Sequence, residues 1–257
     1  MEYGICKLTV IPVRAEANDR SEMVSQLLFG ETFDIIEANQ NWWYINSHHD
    51  DYLGWIDKKQ AQIIDAKFLE QCQSEKAVYT KDHISSVKEN DHHLKVLPLG
   101  ARLPLYNKGN CYINQKKYEL NKTIENDTSS VRERIKNTAM SLLHTPYLWG
   151  GRSRFGIDCS GLTQLCYRMG GISIYRDASQ QARQGELLSF PEEAKTGDLA
   201  FFDNEEGNIT HAGIILDHQQ IIHASGEVRI DMLDNQGIFN RETGKHSHQL
   251  RLIRSFM

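Results

Sequence analysis

Two kinds of apolar patterning follow one another along this chain, and the change between them divides it. From Ile5 to Ile64 the hydrophobic positions fall in short β-branched and aromatic runs separated by polar turns: Lys7 to Val13, Leu27 to Phe29, Thr32 to Ile36, Trp42 to Ile45 and Tyr52 to Ile56. Strands at this spacing predict a small barrel over 1–65. Fainter runs at Ala77-Val78-Tyr79, Leu97 to Ala101 and Tyr112-Ile113-Asn114 predict a second small β domain over 66–123. The polar stretch Ile124 to Ser130 then reads as a linker into a domain over 124–257. Beyond it the period becomes helical: Val131, Ile135, Thr138, Ala139, Leu142 and Leu143 follow a Ser130/Glu133 capping box, and Pro146 stops the run. Leu162, Leu165, Cys166 and Met169 mark a second helix. From Leu199 the chain returns to strands, which predicts an antiparallel sheet with a helix laid against it, an α+β class.

The candidate chemistry sits where these patterns meet. Cys159 follows a Gly-rich loop and opens the second helix, where unsatisfied N–H groups and the helix dipole are expected to lower a thiol's pKa. Gly156 and Gly161 are expected to leave room there for a substrate backbone. Downstream, Thr210 to Asp217 and Gln220 to Ser225 are apolar runs around Asp217-His218-Gln219 and read as a hairpin. If the turn centres on Asp217, His211 and His223 stand directly opposite one another on one face, one to accept the thiol proton and one to orient the acceptor. A two-residue turn at His218-Gln219 would put them out of opposition.

Five motifs occur in order: Pro146 to Gly151, Asp158 to Leu162, Thr196 to Leu199, His211-Ala212-Gly213 and Ile222-His223-Ala224. Together they resemble the NlpC/P60 cysteine peptidases, with a papain-like α+β core. The resemblance implies a catalytic triad of Cys159, His211 and His223, hydrolysis of peptidoglycan stem peptides, and no cofactor. The N-terminal runs, with Val13 to Glu16, Phe29-Gly30-Glu31, Trp42 to Ile45 and Gly54-Trp55-Ile56, resemble a bacterial SH3 domain. Ser21 to Gln26, Asp51 to Trp55 and Arg176 to Gln180 resemble the branch called γ-D-glutamyl-L-diamino acid endopeptidases, or dipeptidyl-peptidase VI. That branch implies recognition of a free L-Ala amine by Glu22 and Asp177 with Tyr52 as a neutral acceptor, Glu31 replacing Glu22 if Glu22 is structural. Further substrate contacts are implied for Trp149, Asp158, Ser160 and Ser179. Ala178 stands where some relatives are expected to carry Ser, so a contact to the D-Glu carboxylate is either absent or made by Ser179.

Composition narrows the rest. A net charge of −5 without a Lys/Arg block argues against nucleic acid and anionic membrane as partners. The N-terminus lacks a signal-peptide pattern, and five scattered cysteines without a C-x-x-C pair suit reduced thiols. The expectation is a cytoplasmic monomer acting on an L-Ala-γ-D-Glu-diamino acid peptide. The paired histidines His48-His49 and His92-His93 lack ligand spacing, so no metal site is expected. A secreted wall hydrolase, a thiol amidase or acyltransferase, and a non-catalytic wall-binding module are the competing readings.

Overall fold

The computed structural model describes residues 2–89, 93–217 and 219–257, with the backbone alone for His93. His92 and His218 therefore lie outside the described residues. The chain forms two compact units, Met1–Asp127 and Thr128–Met257.

The first unit begins with strands β1 (Glu2–Cys6), β2 (Val10–Arg14), β3 (Met23–Leu28), β4 (Thr32–Ala38), β5 (Trp42–Ser47), β6 (Leu53–Asp57) and β7 (Ala61–Ile64). They form one antiparallel sheet in the order β3-β2-β6-β5-β4-β1-β7. Alternation decides which side chains enter the core: Trp43 and Ile45 of β5 are buried with Ile11, Val13, Phe33 and Ile56, while Tyr44 meets Trp55 on the other face. After β7 the chain forms helix α1 (Ala66–Ser74), capped by Asp65, which accepts from the Phe68 N–H. This helix was not expected, because short apolar runs do not distinguish helix from strand. Strands β8 (Ile84–Glu89), β9 (His93–Pro98), β10 (Asn110–Ile113) and β11 (Lys116–Leu120) form a second sheet, ordered β10-β11-β8-β9. Ala77-Val78-Tyr79 is not a strand; Tyr79 makes a single bridge to Arg102. Both sheets share one core, in which Ile5, Phe29 and Ile64 pack with Phe68, Val87, Leu97 and Tyr118.

The second unit opens with helix α2 (Val131–Ser141), whose predicted capping box is present: Ser130 accepts from the Glu133 N–H and Glu133 from the Ser130 N–H. A two-stranded ribbon of β12 (Arg152–Ser153) and β13 (Gly156–Ile157) leads into helix α3 (Cys159–Gly170), which ends at Gly171 in the left-handed conformation with φ 88°. The short helix α4 (Ala178–Gln181) and strand β14 (Glu186–Leu187) follow. Strands β15 (Leu199–Asp203), β16 (Ile209–Leu216), β17 (Gln220–Ser225), β18 (Glu227–Leu233), β19 (Gly237–Asn240) and β20 (Lys245–Ser255) complete the sheet. Its order is β14-β20-β15-β16-β17-β18-β19, and an additional β19–β20 pairing closes six strands into a barrel. Alternation alone predicts a sheet and does not reveal that closure. Ala200, Phe202, Ile215, Ile221, Ile238 and Ile253 cluster on one face, while α3 packs on β16. Among the described residues no helix is long and apolar enough to cross a membrane.

Candidate active site

Asp158 fixes the start of α3. Its carboxylate accepts from the N–H groups of Gly161 at 2.7 Å and Gly150 at 2.9 Å, and from Arg176 at 2.6 and 3.0 Å. Arg176 also donates to the Ser160 hydroxyl at 2.8 Å. Arg176 is 1% exposed, so this network is buried, and removing one ionic partner would strand the other. Asp158 and Ser160, implied as substrate contacts, are thus buried and already bonded to the scaffold. The glycines are explained by the protein's own packing as well. A Cβ on Gly161 would lie 2.2 Å from the Gly151 carbonyl oxygen, and one on Gly156 would lie 2.6 Å from Leu148. The space expected for a substrate backbone is occupied by the chain itself.

Cys159 occupies the predicted helix start, yet its thiol is not activated by that position. Burial, reinforced by the charge of Asp158, pushes it up to about 11, against the Ala212 N–H, the Arg176 charge and the Ser160 N–H, which favour the thiolate. Desolvation outweighs the dipole because the helix end contributes at most about 2 kcal/mol even when partly buried. The contact with the Ala212 N–H places the sulfur against β16, beside His211.

The hairpin register differs from direct opposition. Gly213 pairs with His223 and Leu216 with Gln220, so His211 lies two residues along the ladder from His223's partner. A shift of two keeps both rings on one face and makes them diagonal neighbours, with His211 Nε2 2.8 Å from His223 Nδ1. Gly213 permits this approach, since a Cβ there would lie 3.1 Å from the His223 Cβ. On β18, Arg229 pairs with His223, and Asp231, two residues further, accepts from His223 Nε2 at 3.0 Å. Arg229 holds the same carboxylate at 2.7 and 3.2 Å. Burial works to raise Asp231, but the hydrogen bonds from His223 and Arg229 and the Arg229 charge prevail and hold it below its usual range.

These contacts assign the tautomers. An ionised Asp231 only accepts, so His223 Nε2 carries a proton; with His223 neutral, its Nδ1 accepts and His211 Nε2 is the donor. His211 Nδ1 keeps the lone pair a thiol needs. Burial, then the neighbouring His248 and His223, push His211 well below 6.5, so it waits as a neutral base. His248, from β20, stacks on His211 with ring centroids 4.1 Å apart and interplanar angle 22°. Asp231 and His248 were missed. Asp231 carried a weak signal, its same-face alternation with Arg229 in the strand after the hairpin; His248 carried none.

A cleft of about 340 Å³ opens beside the base, lined by Tyr147, Thr210, His211, Ala224, Ser225, Gly226 and His248. Burial raises the phenol of Tyr147, a residue of the Gly-rich motif given no role there, to about 12, with the charges of Cys159 and Asp158 adding to the effect. Trp149 is 60% exposed on that loop. Asp177 caps α4, its N–H donating to Gln180 at 3.2 Å, and Ser179 is exposed in the same turn. In the first unit Glu22 is exposed just before β3 and Tyr52 is half-buried before β6. Glu31 is buried and accepts from the Leu28 N–H at 2.8 Å. His48 bonds Thr32 and Asp34 and, among the described residues, belongs to no metal cluster.

Comparison with known proteins agrees with this geometry. The NlpC/P60 family model matches residues 144–246, and that of the bacterial dipeptidyl-peptidase Sh3 domain matches residues 13–60. The gamma-D-glutamyl-L-lysine dipeptidyl-peptidase of Bacillus subtilis is 30% identical over 224 residues, covering 78% of this chain and 71% of its own. Dipeptidyl-peptidase 6 of Lysinibacillus sphaericus is 29% identical over 86% of this chain and 88% of its own. A crystal structure of an NlpC/P60 family protein from Bacillus cereus shares the fold, with a TM-score of 0.82 at 20% identity over 99% of both chains.

Proposed function

Since the chain belongs to the NlpC/P60 family and is a cysteine peptidase acting on peptidoglycan peptides, we propose that its substrate is a stem peptide with a free N-terminal L-Ala, cut between γ-D-Glu and the diamino acid. The observation that supports a peptidase mechanism most directly is the line His211, His223, Asp231, with His211 Nε2 bonded to His223, its other ring nitrogen outside that bond, and the Cys159 thiol against the neighbouring Ala212 N–H. Relatives named as γ-D-glutamyl-L-lysine and dipeptidyl peptidases, matched along both units, support the substrate class.

In this mechanism the resting pair is neutral, because burial raises Cys159 and lowers His211. As sulfur attacks the γ-glutamyl carbonyl carbon, its proton passes to His211 Nδ1, and the imidazolium is stabilised through His223 by Asp231. The Cys159 N–H, first in α3 and without a partner inside the helix, is a donor for the oxyanion. His211 then protonates the leaving amine of the diamino acid. Water deprotonated by the same ring hydrolyses the thioester and releases L-Ala-D-Glu. We assign the free amine to Asp177, Glu22 and Tyr52 on the strength of the sequence resemblance, and assign the reaction to the cytoplasm, where murein peptides would be recycled.

One digest tests this reading. L-Ala-γ-D-Glu-L-Lys and its meso-diaminopimelate counterpart, each free and N-acetylated, are incubated with the enzyme beside intact peptidoglycan, and products are read by mass spectrometry. Release of L-Ala-D-Glu from the free peptides alone is the expected result. Equal cleavage of acetylated peptide or release from intact wall would replace it with the wall-hydrolase reading, and cell fractionation tests the location.

A further inference from the structure

The spacing of histidines along the chain argues against a metal site, but closure of the barrel brings together three that are distant in sequence. His211 of β16, His223 of β17 and His248 of β20 each offer one ring nitrogen, and these three atoms lie within 4.8 Å of one another. His211 and His223 are buried and His248 is half-buried, so a bound ion would be largely screened from water. Cys159 is outside the cluster.

Two of the rings are already oriented as ligands are. His223 is held at Nε2 by Asp231, which is itself held by Arg229, leaving Nδ1 to face His211. His248 is held at Nδ1 by the Ser247 hydroxyl at 2.8 Å, which leaves Nε2 for an ion. A carboxylate or hydroxyl on the far nitrogen is the arrangement that fixes the tautomer of metal-bound imidazoles. Tetrahedral zinc with Zn–N near 2.0–2.1 Å separates adjacent nitrogens by about 3.3 Å, so the 2.8 Å pair has to open by about 0.5 Å, nitrogens as far apart as 4.8 Å have to close, and His211 has to turn out of its stack on His248 for both lone pairs to meet one ion.

We propose that His211, His223 and His248 form a three-nitrogen site for a divalent transition-metal ion of the zinc class, and that the ion reversibly switches the peptidase off. Dative bonds form from His211 Nε2, His223 Nδ1 and His248 Nε2, and the His211–His223 hydrogen bond breaks. The His211 proton moves from Nε2 to Nδ1, so no proton is gained or lost by the protein. The lone pair that served the thiol is then occupied by hydrogen, and His211 is held in the tautomer that cannot accept a proton from Cys159. The off-switch rests on His211 being the base of the proposed peptidase; metal binding does not, and it is measured without substrate.

The test uses the full chain and zinc chloride. Zinc affinity is measured by competition with a chromophoric chelator, and the ligands are identified by imidazole ¹⁵N NMR and by visible spectra of the cobalt(II) form. One equivalent of zinc should bind wild type and Cys159→Ala within about threefold of each other, shift the ¹⁵N resonances of all three histidines, and bind at least about 30-fold more weakly to His248→Phe and His248→Gln. Zinc should stop turnover by wild type and EDTA should restore it. Loss of binding in Cys159→Ala, or a sulfur-to-cobalt charge-transfer band, would assign the ion to the thiolate and overturn the site. Unchanged affinity in a folded His248 variant, or ¹⁵N shifts confined to other histidines, would overturn it as well. Three-histidine binding with undiminished turnover would refute the switch alone.

Discussion

His211 and His223 meet across a diagonal of the β16–β17 ladder, Nε2 to Nδ1 at 2.8 Å, with Gly213 standing opposite His223. Asp231 continues the same diagonal on β18. Three adjacent strands therefore carry one hydrogen-bonded line that ends on a carboxylate, and the thiol depends on that line because its own surroundings disfavour charge.

Cys159→Ala should lower turnover by roughly 10⁴-fold or more, since no other group can form the acyl-enzyme. Circular dichroism should show the fold intact. The thiol raised to about 11 predicts slow alkylation by iodoacetamide in the free enzyme at neutral pH, accelerating as pH rises, with the fully buried Cys166 slower still. Alkylation of Cys6 or Cys72 with Cys159 unmodified and activity lost would contradict the nucleophile.

Asp231→Asn should lower kcat more than it raises KM. Exchanging a base's immediate orienter for its amide costs about 10⁴-fold, and Asp231 acts one ring further away, so a loss of about 10²-fold is expected. His211→Ala should be nearly inactive, His223→Gln less severely so. Full activity of His223→Ala in steady-state assays would remove the relay from the mechanism.

The pH response follows from burial of the histidines. His211 lies well below 6.5 and His248 falls to about 4, burial being the first cause for both. The unfolded chain binds these protons near 6.5 and the folded one only at lower pH, so stability is fully present above 6.5 and is lost as pH falls from there toward 4. Urea unfolding of wild type and His248→Gln between pH 7.5 and 4.5 should show a shallower decline for the variant. The acid limb of kcat/KM should fall below pH 6.5; a limb at 7 or above would mean a base that is not desolvated.

Gly161→Ala should be among the most damaging small changes in the second unit. The added methyl carbon would stand 2.2 Å from the Gly151 carbonyl oxygen, a backbone atom that cannot swing away. A loss of about 3 kcal/mol or more is expected in denaturant unfolding, at the upper end of what overpacking costs. Wild-type stability would show that the loop and helix separate freely.

Glu22→Ala and Tyr52→Phe, made separately in the full chain, should reduce kcat/KM for the free tripeptide about as much as N-acetylation of its L-Ala does. A fully buried ammonium that loses an ionic partner costs about 3–5 kcal/mol, which sets the upper size of the Glu22 effect. Undiminished kcat/KM in both variants would leave Asp177 to bind the amine alone.

Much of the site was readable in order along the chain because its parts are local. The Ser130/Glu133 capping box, the placement of Cys159 at the start of α3 and the presence of both histidines on one hairpin face each depend on spacings of a few residues, which periodicity reports directly. The hairpin register was not readable, because a shift of two along a ladder leaves the alternation of apolar positions unchanged. Neither was the sign of the Cys159 shift: the helix start is a local feature, whereas burial depends on what α3 packs against. Asp231 enters through the pairing of a third strand, and His248 reaches His211 only because β19 and β20 pair and the barrel closes. Sequence by itself determined the nucleophile, both histidines and the elements that carry them; tertiary structure decided their hydrogen-bonded order, their protonation and the residues recruited beside them, because those depend on which distant strands become neighbours.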